Sequence, residues 1–247
     1  METGVSNYIA FDIETASLDF DSLSSSQQEY LLRGANTEEE KEKKKYEMGL
    51  SPFTAQVVCI GLMKIELDDN NVEKITKIAL SCDNSLEDGS KRDVQLSTGA
   101  KCIITNEKTL LKNFWNQISK HSNYILISFN GRNFDAPFLM LRSALNEIRP
   151  SKNLMQGTKF NYPGHIDLID ELTFYAPSQM GATRRFNFDY YTQAFGIKSP
   201  KSEGVDGSMV TTMFNEGRIE EISEYCLRDI SATWELFKKW KTYLSFS

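Results

Sequence analysis

The sequence predicts an α/β fold, a mixed five-stranded sheet flanked by helices. Short apolar runs bounded by polar residues, the mark of buried strands, recur at 7–13, 56–65, 72–82, 124–129 and 165–170. The second and third runs are joined by the turn residues "DDNN", which makes them an antiparallel hairpin. The later runs alternate with segments whose apolar residues recur at helical spacing, and strands joined through helices pair parallel with right-handed crossovers. Three antiparallel strands followed by parallel ones, layered with helices, are the result.

The elements follow in order. "NYIAFDIETAS" (7–17) begins as an apolar strand over 7–13 and ends in Asp12 and Glu14. Residues 16–54 change character: "SLSSSQQEY" leads into the mixed-charge run "EEEKEKKKYE". This is read as an inserted exposed helix or mobile segment, a solvated surface in preference to a lid over substrate. "QVVCIGLMKI" (56–65) is the second strand, and "VEKITKIALSC" (72–82) alternates apolar and polar as a third. "NSLEDGSKRD" and "LSTGAK" read as loops with room for a short strand between them. Leu110, Leu111, Phe114, Trp115 and Ile118 give residues 107–120 one apolar helical face. "YILISF" (124–129) is a strand, 135–148 a helix, and "HIDLID" (165–170) the fifth strand. Helices are expected at about 187–195, 207–216 and 219–243. The whole reads as one domain over 1–247 with a charged insertion at about 16–54.

Composition limits the functions available. Apolar residues make up 40% and charged residues 25% of the chain, as in a soluble globular domain. No apolar run approaches the ~18 residues of a membrane span, and "METGVSNYIA" lacks the layout of a signal peptide. A cytoplasmic address is expected. Cys59, Cys82, Cys102 and Cys226 are widely spaced and form no C-x-x-C, which fits a reduced protein. With only His121 and His165, a zinc cluster is hard to assemble, so a catalytic metal would be held by oxygen ligands and be a hard ion, Mg²⁺ or Mn²⁺. A net charge of −6 argues against coating long duplexes, but not against a small site that meets phosphate through metal ions.

Three stretches carry candidate chemistry. In a strand, residues i and i+2 face one side, so Asp12 and Glu14 point together, either around a cation or simply into water at a strand end. In "SFNGRNFDAPFL" (128–139), Asn130-Gly131 marks a tight turn, and Asp135 before Ala136-Pro137 sits where a helix N-cap is expected. The same position puts its carboxylate at a strand-to-helix junction, and both roles can coexist. In "ISEYCLRDISATWELF" (222–237), Ile222, Cys226, Ile230 and Trp234 line one helix face, while Tyr225 and Asp229, four apart, share another.

Taken together, D-x-E on a first strand, N-x4-D after a later strand and Y-x3-D on a C-terminal helix resemble the DEDD superfamily of 3′–5′ exonucleases, in its tyrosine branch. "FNGRNFDAPFL", "HIDLID", "GVDGSMV" and "YCLRDISAT" are similar to the stand-alone predicted exonucleases related to the proofreading domain of family B DNA polymerases. The resemblance covers most of the chain; residues 16–54 and about 83–101 carry no motif, and no polymerase fingers, palm or thumb fit in this length. It implies a ribonuclease H-like fold and two-metal hydrolysis of phosphodiesters at single-stranded 3′ ends, DNA in preference to RNA, releasing nucleoside monophosphates. By resemblance, Asp12 bridges two Mg²⁺ or Mn²⁺ ions. Glu14 and Asp229 complete the site that activates water, Asp135 supports the second ion, and Tyr225 orients the water. Asn130, Phe134 and Thr15 are expected to touch the terminal nucleotide.

His165 and Asp167 are read as structural, holding their strand or a nearby loop. Arg184 and Arg185 of "TRRFNF" either grip phosphates or are ordinary exposed arginines. The alternatives are an RNA-processing exonuclease of the same chemistry and a catalytically silent nucleic-acid-binding module. The presence of all four acids and the tyrosine argues against the silent module.

Overall fold

The structure, a computed structural model, describes residues 7–68, 70, 72–199 and 207–246. Its strands are β1 (Tyr8–Ser17), β2 (Ala55–Leu67), β3 (Glu73–Cys82), β4 (Arg92–Gln95), β5 (Lys101–Thr105), β6 (Ile125–Ser128) and β7 (His165–Asp167). Among the described residues they form one open sheet in the order β4-β5-β3-β2-β1-β6-β7. The helices are α1 (Ser25–Leu31), α2 (Glu38–Glu47), α3 (Glu107–Lys120), α4 (Asp135–Leu145), α5 (Leu168–Leu172), α6 (Phe188–Ala194), α7 (Val210–Asn215) and α8 (Ile219–Tyr243).

The mixed α/β sheet is as expected, with seven strands in place of five. β1 and β3 each pair antiparallel with β2, and β6 joins β1, then β7 joins β6, in parallel. The two added strands lie at the far edge, where β5 runs parallel to β3 and β4 antiparallel to β5. β5, "KCIIT", is five residues long and abuts a polar loop, too short for its alternation to stand out. "HIDLID" is strand only to Asp167. The Asp167 carboxylate accepts from the Ile169 N–H and caps α5, so the chain turns helical at Leu168.

β1 sorts its side chains by parity. Phe11 meets Phe114 of α3, with ring centroids 6.4 Å apart. Tyr8 meets Trp234 and Phe237 of α8 at 5.6 and 5.1 Å. Odd residues of β1 therefore face α3 and even residues face α8, which puts Asp12 and Glu14 on the α8 side. Burial of both apolar faces, with Ala10, Phe11, Ile60, Leu110 and Phe237 at the centre of the core, fixes this register against a one-residue slip.

The segment read as an insertion, 16–54, carries the helices α1 and α2. α1 and α2 each begin with a reciprocal capping box, Ser24 with Gln27 and Thr37 with Glu40. On α2, Lys41–Glu38 and Lys45–Glu42 pair at i,i+3, and no α2 residue is buried. This exposed, mixed-charge helix then turns at Met48–Leu50, and Met48 plugs the core at 3% exposure. Arg142 of α4 donates to the Pro52 carbonyl (3.1 Å) while ion-paired with buried Glu107.

Candidate active site

β1 does not end at residue 13. It stays paired with β2 as far as Ser17, whereas its pairing with β6 stops at Ala10. Asp12 and Glu14 thus sit where the parallel neighbour has turned away, and not at a strand end. Between Glu14 and Thr15 the β1–β2 register shifts by one residue, a bulge of the sort that re-aims side chains beside sites.

The chain leaving β6 is bent back to this gap. Asn130 takes a left-handed conformation, φ 64°, which Asn tolerates better than most residues. At Gly131 a Cβ would lie 2.3 Å from Ser128 Oγ, so only glycine fits there. Asp167 accepts the backbone N–H groups of Asn130 (2.7 Å) and Arg132 (2.8 Å), one on each carboxylate oxygen. His165 Nε2 and Ser128 Oγ are 2.7 Å apart. His165 and Asp167 are thus hydrogen-bonded to the end of β6 and the turn that follows it.

Asp135 is not the N-cap of α4. Phe134 occupies that position and makes no side-chain cap bond, and Asp135 is the first helical residue. Its Oδ1 instead accepts the Ile13 N–H at 2.9 Å, supplying the partner that β6 no longer offers to β1. Pro137 falls in the first turn, where its missing N–H has no intrahelical role to lose.

The third contribution comes from α8. Opposite Asp12 on β2 stands Gly61, and a Cβ there would lie 2.9 Å from Cys226 Sγ. The missing side chain lets α8 close on the sheet. Cys226 Sγ then lies 3.6 Å from the Asp12 carbonyl and 3.8 Å from Asp12 Oδ2, and Tyr225 is hydrogen-bonded to Asp229. Ligand atoms of Asp12, Glu14 and Cys226 lie within 4.8 Å of one another. The sequence pattern places Cys226 only on an apolar helix face. Its place one residue after Tyr225 was the one signal of its nearness.

The electrostatics are those of crowded acids. Burial pushes the Asp12 carboxyl well above its ordinary range, helped by Asp135 and Asp229. Glu14 is raised likewise by burial, Asp12 and Asp229, and Asp135 is pushed up to about 7, mainly by burial. Burial, then Asp229, Glu14 and Asp12, raise Tyr225, so its phenol is neutral near pH 7. Cys226 is raised by burial and stays a thiol. Carboxylates held this close favour either protons or a polyvalent cation.

Thr15 and Phe134 line a cleft of about 360 Å³ beside Glu14. The Thr15 hydroxyl donates to the Gly49 carbonyl (2.7 Å), and Phe134 rests on Phe138, with centroids 5.4 Å apart. Asn130 shapes the turn through its backbone. Tyr46 and Leu50 of the insertion line the same cleft, and no spacing in the mixed-charge run signalled this. Of the paired arginines, Arg185 is taken by Asp170 (2.5 Å), while exposed Arg184 lies over Phe186 at 5.0 Å. Residues 204–206 of "GVDGSMV" lie outside the described residues.

Residues 55–245 match the family described as "Predicted 3′–5′ exonuclease related to the exonuclease domain of PolB". The match begins after Asp12, Glu14 and the insertion. An uncharacterized protein of Methanocaldococcus jannaschii is 31% identical over 140 residues, 54% of this chain and 73% of that protein. The family B DNA polymerase of the hyperthermophilic archaeon Pyrobaculum calidifontis superposes with a TM-score of 0.54 at 16% identity, over 95% of this chain. This chain spans 24% of the polymerase's length, and the likeness is one of fold.

Proposed function

Since the chain belongs to the family of predicted 3′–5′ exonucleases related to the exonuclease domain of PolB, we propose that it removes nucleotides from the 3′ end of single-stranded DNA with two divalent ions, Mg²⁺ or Mn²⁺. One observation carries the reading: β1, the turn after β6 and α8 bring Asp12, Glu14, Asp135, Asp229 and Tyr225 to one place, where the acids raise one another's affinity for protons.

The donor set suits hard ions. Asp12, Glu14, Asp135 and Asp229 offer oxygens, and the protonated Cys226 thiol is a poor ligand, since metals take the thiolate. Bound divalent ions supply positive charge beside the phosphate and Lewis acidity toward the attacking water. In the reaction, a water oxygen bonds to phosphorus and gives up a proton to solvent, the P–O3′ bond breaks, the freed O3′ takes up a proton from solvent to become the strand's new 3′-hydroxyl, and a nucleoside 5′-monophosphate leaves. Asp12, Glu14, Asp229 and Asp135 would hold the ions, Glu14 and Asp229 on the side of the attacking water, while Asp135 also ties its loop to β1 through the Ile13 N–H. Tyr225, neutral and hydrogen-bonded to Asp229, orients the water and is not the base. Thr15, Asn130 and Phe134 position the terminal nucleotide, Phe134 by stacking. The reading takes the chain as one exonuclease domain with an insertion, at work in the cytoplasm. The four buried free thiols support a reducing compartment, and no helix among the described residues is long and apolar enough to cross a membrane.

The test incubates 5′-labelled linear single-stranded DNA, its RNA counterpart and a circular single strand with Mg²⁺, Mn²⁺ or EDTA. Metal-dependent shortening from the 3′ end of DNA is expected. Faster loss of RNA would move the substrate to RNA, through the 2′-hydroxyl environment. Cleavage of the circle would remove the exonuclease reading, and binding without cleavage in either metal would leave the silent module.

A further inference from the structure

The turn between Asn130 and Asp135 borders two clefts. Phe134 lines the one beside Glu14. Its neighbour Asn133 lines another, of about 450 Å³, together with Arg132 and residues from the segment 155–185. Three cations line this second cleft, Arg132, Lys159 and Arg185, against one carboxylate, Asp170. Asp170 is already engaged on both oxygens: Oδ1 accepts from Arg185 Nη2 (2.5 Å) and Oδ2 from the Tyr162 hydroxyl (3.0 Å). Arg185 has five N–H donors, and its buried Nε–H has no acceptor, a costly state for a buried donor. Arg132 is held by uncharged partners. Its Nη1 donates to the carbonyls of Leu154 (3.0 Å) and Gln156 (3.1 Å), and its guanidinium lies 4.2 Å from the centre of the Tyr162 ring. These contacts orient the guanidinium without neutralising it. Lys159 is exposed, with Nζ 5.7 Å from the centre of the Phe160 ring. The lining thus carries an excess of positive charge in a chain whose net charge is −6.

We propose that this second cleft is a phosphate subsite, which holds a backbone phosphodiester of the unpaired strand on the 5′ side of the bond being cut. The subsite rests on the exonuclease reading and extends it to a part of the strand that does not react. Arginine and lysine are the side chains that grip phosphate, arginine through paired N–H groups and lysine as a point charge. A chain of net negative charge repels nucleic acid over much of its surface, so a strand is held where cations collect. The place also fits. Arg132 stands three residues before Asp135, a stretch that spans at most ~11 Å, and its backbone N–H is fixed in the turn by Asp167 Oδ2 (2.8 Å). A strand with its last phosphodiester at the carboxylates need only cross this turn to set an earlier one among the cations. The volume, within the range of about 300–1,000 Å³ usual for small-ligand sites, admits a phosphate with its sugar. Phosphate contacts read no sequence, so the subsite serves strands of any base composition. Arg185 of "TRRFNF" thereby takes the first of the two roles that its sequence leaves open.

The test measures binding of a labelled single-stranded oligonucleotide by fluorescence anisotropy in EDTA, over a range of salt. The proteins are wild type, Lys159→Gln, the double variant Lys159→Gln/Arg185→Gln, and Lys120→Gln, which changes an exposed cation of α3 outside the cleft. The oligonucleotides carry phosphodiesters throughout or one uncharged methylphosphonate, moved one linkage at a time from the 3′ end. The double variant should bind about tenfold more weakly at low salt, as for lost hydrogen bonds to a charged group. Its log Kd should depend less steeply on log salt, by about 0.7, the share of one phosphate on a single strand. A methylphosphonate at one linkage should weaken wild type by a similar factor and the double variant hardly at all, as for two changes to one contact. With Mg²⁺, KM on the unmodified strand should rise about tenfold with kcat kept. Lys120→Gln should match wild type. Lys159→Gln leaves the Arg185–Asp170 pair intact and should lose about threefold by itself, which decides the matter if the double variant fails to fold. Unchanged affinity and salt slope in the folded variants overturns the subsite, as does a loss that no single linkage accounts for. Inorganic phosphate bound by wild type without any linkage effect would make the cleft a site for free anions and overturn the strand assignment. If wild type cuts no strand, the exonuclease reading fails and the binding arm still decides: a linkage-specific loss upholds the subsite, and its absence, or absence of binding, overturns it.

Discussion

At the scale of single residues, two buried groups with opposite pKa shifts support one turn. His165 is pushed down to about 3 by burial, with Arg132 and Lys152 adding to the effect, so it is neutral against Ser128. Asp167 is pushed up to about 6 by burial although Arg132 and Asn130 N–H groups hold it. Because His165 binds its proton less well folded than unfolded, its contribution to stability is present above pH ~6.5 and is lost as pH falls toward its folded value. Urea unfolding in EDTA at pH 4, 5, 6 and 7 should show His165→Gln losing less stability on acidification than wild type. The difference should be on the order of 1.4 kcal/mol per pH unit at most. Asp12, Glu14 and Asp135 carry the opposite sign, so the comparison between the two proteins, not the wild-type curve, is the measurement; parallel curves would refute the assignment. For the acids, Asp12→Ala and Asp229→Ala should remain folded by circular dichroism and lose nearly all nuclease activity. Tyr225→Phe should keep part of it, because a neutral phenol orients water without taking its proton. Full activity in a folded Asp12→Ala would remove that residue from the mechanism.

At the scale of elements, the site depends on how closely α8 lies on β2. The i,i+4 spacing of Tyr225 and Asp229 was legible because a helix repeats every 3.6 residues. Gly61 was not legible as the residue that admits α8, since "VVCIGLMK" reads as an ordinary buried strand in which a glycine has no stated partner. Gly61→Ala would put a methyl group 2.9 Å from Cys226 Sγ and 3.4 Å from the Cys226 carbonyl and Ile230 Cγ2. It should destabilise by ~1–3 kcal/mol, as overpacking does, and depress activity by more than a remote change of equal cost, because Asp229 moves with the helix. Denaturant unfolding paired with the nuclease assay checks this; wild-type values in both would show that α8 has slack to give.

For the molecule as a whole, the fold gathers negative charge that no apolar packing relieves. Divalent ions that bind only the folded state should therefore stabilise it, by ~2.7 kcal/mol at a hundred times Kd. Thermal melts in saturating Mg²⁺ or Mn²⁺ against EDTA should show a higher Tm with metal, and Asp12→Ala should abolish the difference. Equal shifts in wild type and variant would place the ions elsewhere.

The sequence by itself determined the layer class and the approximate span of α8, because strand and helix periodicities are local, and it singled out four acids and a tyrosine through the resemblance that D-x-E, N-x4-D and Y-x3-D carry. Only the tertiary structure decided that Asp12 and Glu14 stand in a gap left by β6, not at a strand's end. It also decided that Asp135 closes that gap on Ile13 instead of capping α4, that the thiol of Cys226 sits against Asp12, and that a charged insertion lends Tyr46 and Leu50 to the cleft. Each of these joins residues distant in sequence, up to 214 positions apart for Asp12 and Cys226. Such contacts are set by which strands cease pairing and how near a helix can approach, and neither quantity leaves a period in the chain.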